Sequence, residues 1–505
     1  MRISYLLVLL ILSTCTLFSQ SKLDSLVAVG NEQSFQFNFK QANKTFESII
    51  KLYPESSLGY YFISRNSLWF YLANKDSASQ NNFLTYLEIA KTKGELEFES
   101  SDEDPVFNFN LGNIYFLKSI YSSVEQNTMD AFWATKSAVS YFEDALDYDS
   151  KYSEPYLPLG TIKYAIGFVP GFLGWAISVA GLEGEKQDGL ASIKKANENC
   201  SNCKVEASYH LGKLYTEYNA MYDSAEVLLS NIVLNYPNNE LFLYQYAILQ
   251  IDRKELKEAE AILNRILHNP NPKFSQTNAL SMFLKGEVFF KQNKFEEAII
   301  EYERFIEKTT TPDYTGIANY KIALSYEMIG EKLLAQKHYI LARNGNHNIA
   351  EDSFADKMGK KLYDKKFSAN DKTLIVAKNN FESGKYSEVL SVLQTIDIQN
   401  LSYEQSFNVN VLKINTYQNL NEFEKSSEII EQYNESSSIS ELNQYVIFVY
   451  LTANQKFLEG SFSEVRELLD IAFDNFDETN NKLSRLLVNL SGKLLQWENN
   501  FEKIE

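Results

Sequence analysis

The stretch Gly286–Phe305 reads GEVFFKQNKFEEAIIEYERF, and its spacing decides the fold. Gly286 is followed at +3 by Phe289, at +12 by Ala298, at +16 by Tyr302 and at +19 by Phe305. A small residue midway along one helix, with another near the start of the next, lets two antiparallel helices cross toward the short end of the usual 8–10 Å. Residues +16 and +19 then fall one turn apart on one face of the second helix, which covers the hairpin core and the following unit. The same figure recurs along the chain. Ala323 leads to Tyr326, Ala335, Tyr339 and Ala342; Gly30 to Ala42, Phe46 and Ile49; Ala247 to Ala259, Leu263 and Ile266. Looser copies run Ala377, Val389, Leu393, Ile396 and Ala453, Val465, Leu469, Ala472. In all six copies both the +16 and +19 positions are apolar, although the whole sequence is only 45% apolar. Unpatterned sequence would give that on the order of once in ten thousand.

This spacing resembles the tetratricopeptide repeat, a 34-residue helix–turn–helix unit. Gly212 with Ala225, Leu229 and Ile232 is a copy one residue longer, closed by Pro237. Gly112 begins another, whose second helix (Ala138, Phe142, Ala145) arrives about 14 residues late, and Tyr156, Leu159 and Gly160 open a further unit. The resemblance implies an all-α fold: a right-handed α-solenoid of about nine to eleven helical hairpins, running from near Leu23 to Phe476. Asn481–Phe501 would be the polar-backed C-terminal capping helix such arrays require. The expected close crossings are Gly30/Ala42, Gly212/Ala225, Ala247/Ala259, Gly286/Ala298 and Ala323/Ala335.

Between Asn344 and Asp371 the spacing breaks. Asn344-Gly345-Asn346-His347-Asn348 reads as a loop, and Lys357, Lys360, Lys361, Lys365, Lys366 and Lys372 form the main basic cluster. This divides the expected organisation into a lobe over 22–343, a linker or degenerate helix over 344–369, and a lobe with its cap over 370–505. The lysines read as a solvated helix face or as a docking patch.

Ahead of the array, Met1-Arg2, an apolar run from Tyr5 to Phe18 and the polar Ser19-Gln20 have the layout of a secretory leader over 1–20. The run is short for a membrane span. Leu12-Ser13-Thr14-Cys15 also resembles a lipoprotein signal in which Cys15 would be acylated, although Thr14 departs from the usual small residue. In an oxidising compartment Cys200 and Cys203 read most simply as a local disulfide tying the end of one helix to the turn before the next. Free thiols, a redox pair or a metal site with His210 are the other readings.

Ala165–Leu182 reads AIGFVPGFLGWAISVAGL, 18 residues without a charge. Four glycines and Pro170 oppose one straight helix, and hairpins lie on both sides, so a buried insert is expected ahead of a membrane-surface contact or a true span. Gly167-Phe168-Val169-Pro170-Gly171-Phe172-Leu173, then Gly181-Leu182-Glu183-Gly184-Glu185-Lys186 and Gly189-Leu190, is similar to a pattern in the eukaryotic tetratricopeptide-repeat-39 and inclusion-body-clearance family. Leu182 and Glu185 depart from that pattern's aromatic and Asp. The resemblance implies a helical-repeat protein without established catalysis, so it assigns no active-site residue.

The 505 residues hold 20 Gly and 9 Pro with 23% charged residues, the proportions of a folded soluble chain. A net charge of −18 repels phosphate backbones, which sets nucleic acid aside as a partner. The sequence contains no His-Glu-x-x-His, no phosphate-cradling Gly-x-x-x-x-Gly-Lys and no Gly-x-Ser-x-Gly, and its four histidines (210, 268, 338, 347) are scattered. The expectation is an exported, non-enzymatic scaffold or adaptor without cofactor, in the periplasm or at an envelope membrane. It would bind a protein or peptide through the solenoid surface, where exposed Asn and Tyr of the first helices are candidates. Membrane association would run through 165–182 or an N-terminal lipid. The alternative is a glycan- or solute-capturing surface lipoprotein built on such repeats.

Overall fold

The structure is a computed structural model that describes residues 22–167, 186–365, 367–435, 442–475 and 481–501. The leader with Cys15, Lys366 and residues 168–182 of the apolar insert lie outside the described residues. No strand occurs among those described. Hairpins follow one another along the chain: α1 (22–35) with α2 (Phe39–Leu52), α3 (Leu58–Asn74) with α4 (Ser77–Ser100), and α5 (Pro105–Val124) with α6 (Thr128–Tyr148). Then come α7 (Tyr156–Ile166), α8 (Lys186–Asn199), α9 (Lys204–Glu217), α10 (Tyr222–Asn235), α11 (Glu240–Asp252) and α12 (Leu256–His268). Next are α13 (Ser275–Lys291) with α14 (Phe295–Lys308), α15 (Thr315–Ile329) with α16 (Lys332–Leu341), and the single α17 (Ala350–Leu362) inside the stretch 344–369. The last are α18 (Ala369–Glu382) with α19 (Tyr386–Leu393), α20 (Tyr403–Asn419) with α21 (Phe423–Glu435), α22 (Leu442–Leu458) with α23 (Phe462–Asp474), and α24 (Asn481–Phe501).

The chain forms two compact units. One comprises 1–212, 227–243 and 271–275; the other comprises 213–226, 244–270 and 276–505. The fold is an all-α array of helical hairpins.

One turn design serves nearly every hairpin. Counting from the small residue of the first helix, position +7 takes a left-handed backbone: Phe37 (φ 61), Lys254 (φ 68), Asn293 (φ 60), Gly330 (φ 93), Gly384 (φ 70) and Gly460 (φ 82). The N–H of +8 then donates back to the carbonyl of +3, as in Asn38 to Gln33, Lys294 to Phe289, Glu331 to Tyr326 and Ser461 to Lys456. That six-to-one bond closes the first helix and lets the chain reverse within three residues. Gly, or Asn as at Asn293, takes this backbone at low cost.

All ten close-crossing residues named above are buried. The glycines seat the +16 ring or branch of the second helix. A Cβ on Gly286 would lie 2.7 Å from Tyr302 Cδ1, one on Gly212 would lie 2.5 Å from Leu229 Cγ, and one on Gly30 would meet the Phe46 ring. Tyr302, Leu229 and Phe46 are fully buried in these seats. Two hairpins use other residues. In α3/α4, Ser67, Ser79 and Phe83 take the 0, +12 and +16 positions; in α20/α21, Ile414, Ser426 and Ile430 take them, and all six are buried.

Hairpin α5/α6, with helices of 20 and 21 residues, departs from the repeat spacing and still packs. Gly112 meets Phe142 instead of a +16 residue, with its Cβ position 2.7 Å from the ring. Fourteen extra residues shared by two antiparallel helices add seven to each, close to two turns of 3.6, so the facing stripes stay in register. At the C-terminal end, Leu483, Leu487, Leu490 and Leu494 of α24 form one stripe against Ala453, Val465, Leu469 and Ala472.

Candidate functional site

The first unit closes on itself between residues some 200 apart in sequence. Tyr236 Oη donates to Glu32 at 2.9 Å, Asn239 Nδ2 to the Phe35 carbonyl at 2.9 Å, and Ser275 N–H to Asn74 Oδ1 at 2.8 Å. Phe37 stacks on Phe274 at 4.6 Å, and Phe39, Phe70 and Phe274 form a buried aromatic cluster with Trp69 beside it. Deeper in this unit, Arg65 is 6% exposed, donates to Asn31 Oδ1 at 2.8 Å, approaches Glu206 at 3.7 Å and stacks on Phe62 and Trp69. Asn31, Glu32 and Arg65 of α1 and α3 are therefore engaged by their own chain.

The second unit does the same on α13, α15 and α18. Glu287 pairs with Lys321 at 3.1 Å and accepts from Tyr302 Oη, Lys291 pairs with Glu382 at 2.8 Å, and Lys285 pairs with Glu301 at 2.9 Å. Burial would raise the Glu287 carboxyl, but Lys321, Lys291 and Tyr302 together hold it below the usual range. Burial would lower Lys291, and Glu382 and Glu287 outweigh that. Asn379 bonds the Phe290 carbonyl and Asn293 Oδ1, both at 2.8 Å, and Asn293 bonds Asn380 at 3.1 Å. Several polar side chains of the first helices, the candidates from sequence, thus spend their hydrogen bonds internally. Sequence spacing carries no sign of this, because the partners come from hairpins far along the chain.

An open cleft remains in the first unit, where α4, α5 and the start of α6 meet. It encloses about 390 Å³. One wall presents Leu84, Leu87, Glu88 and Lys91 of α4, a single i, i+3, i+4, i+7 face. The other presents Ile114, Tyr115, Lys118 and Tyr121 of α5, and Glu125, Asn127 and Asp130 close the end. Lys118 to Asp130 lie in the two turns that lengthen this hairpin, so the departure from the repeat period builds half of the cleft. Charged side chains of both signs line it, Glu88 among them. Lys91, at 3.6 Å from Glu95, and Lys118, without an ion-pair partner among the described residues, lie toward one end. Glu125, 3.6 Å from Lys75 and bonded by Tyr71, and Asp130, bonded by Asn127, lie at the other.

The remaining sequence candidates fall as follows. Cys200 and Cys203 are joined by a disulfide between the end of α8 and the start of α9. In the lysine cluster, Lys360 pairs with Asp356 at 2.7 Å, Lys361 with Glu404 at 3.1 Å and Lys365 with Asp371 at 2.8 Å. His338 is buried, with Nδ1 2.9 Å from Asn319 Oδ1, and burial with neighbouring Lys337 pushes its imidazole down to about 4. A group held neutral that way serves packing and not proton transfer near neutrality. Among the described residues no cluster of three or more His, Cys, Asp or Glu could hold a metal ion, and no helix is long and apolar enough to cross a membrane.

Residues 119–332 match the model of the Iml2/tetratricopeptide repeat protein 39 family, and residues 33–56 match a tetratricopeptide repeat model. No curated protein matches. Similar solved chains include the P58(IPK) TPR domain, 15% identical over 76% of this chain and 99% of that one, with a TM-score of 0.21. The APC/C hetero-tetramer Cut9–Hcn1 is 11% identical over 94% and 97%, with a TM-score of 0.27. Naa15/Naa10 bound to HypK-THB is 13% identical over 94% and 67%, with a TM-score of 0.26. From the repeat geometry and the two family matches, the chain is a tetratricopeptide-repeat superfamily protein that resembles the Iml2/tetratricopeptide repeat protein 39 family over residues 119–332.

Proposed function

We propose that this chain is an exported, non-enzymatic scaffold that binds a segment of another protein. Tetratricopeptide repeats by their class imply a protein-interaction scaffold, and scaffolds of this type are generally without catalysis. The observation that carries the finer reading is the cleft of about 390 Å³ among α4, α5 and α6, half built by the lengthened hairpin, while much of the inner polar surface is bonded internally. A surface that mixes apolar side chains with charged and polar ones suits a peptide segment, whose backbone and side chains offer both. Export rests on the leader-like layout of residues 1–20.

Two measurements test this. Chemical crosslinking in envelope preparations, read by mass spectrometry, should place one stoichiometric partner against residues of the first unit. Crosslinks spread over many proteins at low yield count against a scaffold with a defined partner. The mass of the mature N-terminus should correspond to a start near Gln20; a chain that retains Met1 overturns export, and a diacylglyceryl group on Cys15 would make it a surface lipoprotein.

A further inference from the structure

A five-residue strap closes the first unit and is held at both ends. Residues 271–275 read Asn-Pro-Lys-Phe-Ser, and within them Phe274 alone is buried, against Phe37, Phe39 and Phe70. Asn74 grips the far end: its Nδ2 donates to the Lys273 carbonyl at 2.7 Å, and its Oδ1 accepts from Ser275 N–H at 2.8 Å. Glu240, the first residue of α11, grips the near end, its Oε1 accepting from Asn271 N–H at 2.6 Å. Pro270 and Pro272, on either side of Asn271, have no N–H to donate, so the Asn271 N–H is the backbone donor between them.

The two grips differ in kind. Glu240 is 5% exposed, and its Oε2 is buried with no hydrogen-bond partner among the described residues. A buried carboxylate with a single donor is poorly compensated for lost water, which favours its neutral form while the strap is closed. We propose that Glu240 is a pH-operated latch: its neutral carboxyl keeps the strap closed, and its ionisation releases residues 271–275 and withdraws Phe274 from the aromatic cluster. The charged groups on the surrounding elements are placed otherwise. Glu32 of α1 is held by Tyr236, Arg65 of α3 stands near Glu206, Lys40 of α2 is exposed, and Lys273 of the strap lies over the Phe70 ring and acts on Asp76. None of them acts on the Glu240 carboxyl, which burial raises to about 7 against the Asn271 bond alone. Because that value lies above the ordinary 4.5, the closed strap is fully favoured below 4.5 and loses ground as pH rises through about 7. An opened strap admits water to Oε2 and returns the carboxyl to its ordinary value. Linkage between the two values makes opening up to about 30-fold more frequent at pH 8 than at pH 5.5, with a plateau above.

Hydrogen exchange of the full chain tests this, read on peptides covering 269–276 as protection factors, which remove the intrinsic pH dependence of exchange. The Asn271, Phe274 and Ser275 amides should lose about 10–30-fold in protection from pH 5.5 to 8. Glu240→Gln keeps an acceptor for Asn271 and cannot ionise, so its protection should stay level. His268→Gln, which removes the histidine nearest in sequence, should behave as wild type. Peptides from α7, in the same unit, should keep their protection throughout. A wild-type change under about threefold, the full loss in Glu240→Gln, its absence in His268→Gln, or a parallel loss in α7 would overturn the latch. Should Glu240→Gln not fold, Asn74→Ala carries the test. Freeing the far end should lower protection at both pH values and keep the wild-type ratio between them; loss of that ratio counts against Glu240.

Discussion

A helix contact obstructed by backbone on every side lies where α7 crosses α8, and it makes a quantitative prediction. A Cβ on Gly189 would meet the backbone nitrogen of Tyr164, with the Gly160 carbonyl oxygen and Tyr164 Cα each 2.7 Å away. Ordinary contact begins at 3.4 Å, and every obstructing atom is backbone, so none can rotate aside. Gly189→Ala must therefore part the two helices by roughly 1 Å. Overpacking of this kind costs up to about 3 kcal/mol. Replacing a helical Gly by Ala returns about 1 kcal/mol, which leaves a net loss of about 2 kcal/mol. In a unit of about 200 residues that lowers the melting midpoint by roughly 4–8 °C. Because the chain has two compact units, one midpoint averages over both, so hydrogen exchange of peptides from 156–166 and 186–199 gives the sharper reading. Gly492→Ala is the control, since a Cβ there finds no atom within 4 Å; it should be neutral or stabilise by up to about 1 kcal/mol. Wild-type protection in Gly189→Ala would refute the steric account.

Other outcomes follow from buried groups. Glu240 is 5% exposed, and burial pushes its carboxyl up to about 7 despite the hydrogen bond from Asn271 N–H. A carboxyl that holds its proton more tightly when folded contributes stability below its unfolded value of 4.5, lost as pH rises through about 7. Relative to wild type, Glu240→Gln should gain up to about 3 kcal/mol at pH 8 and little at pH 5; a pH-independent difference between their denaturation curves would contradict this. Asp352, fully buried, accepts from the N–H groups of Ile317 and Asn346 at 2.8 Å each. Asp352→Ala strands both donors and should cost roughly 2–4 kcal/mol in urea unfolding; a loss below about 1 kcal/mol would mean the loop at 344–348 re-bonds freely. The His338 ring carbons should not titrate by NMR between pH 5 and 8, and a midpoint near 6.5 would show the ring to be solvated.

The hairpins were legible because their crossings use Gly and Ala at a fixed interval and large apolar residues at +16. Hairpin α3/α4 was not, since Ser67 and Ser79 do the same job with hydroxyls that read as polar. In α20/α21 the large Ile414 stands where the spacing expects a small residue, and Ser426 takes the +12 position. The turns carry a further signal: Gly330, Gly384, Gly460 and Asn293 all stand at +7, where only a left-handed residue lets the chain reverse. The late second helix after Gly112 was visible as a delay, yet a count of 14 says nothing about a cleft until the extra turns are placed against α4. Internal bonding such as Asn239 to Phe35 leaves no local pattern at all, because each partner satisfies its own helix's periodicity independently.

The aromatic closure of the first unit has a consequence in time. Phe39 and Phe70 belong to the opening hairpins, but Phe274, which covers them, is made more than 200 residues later. At roughly 5–20 residues per second of synthesis, that lag is about 10–50 s. Throughout it the nascent chain carries a bare aromatic edge with no cover of its own, which makes this stage the natural moment for a chaperone to engage. Any N-terminal fragment that stops before residue 271 holds that exposed edge for good.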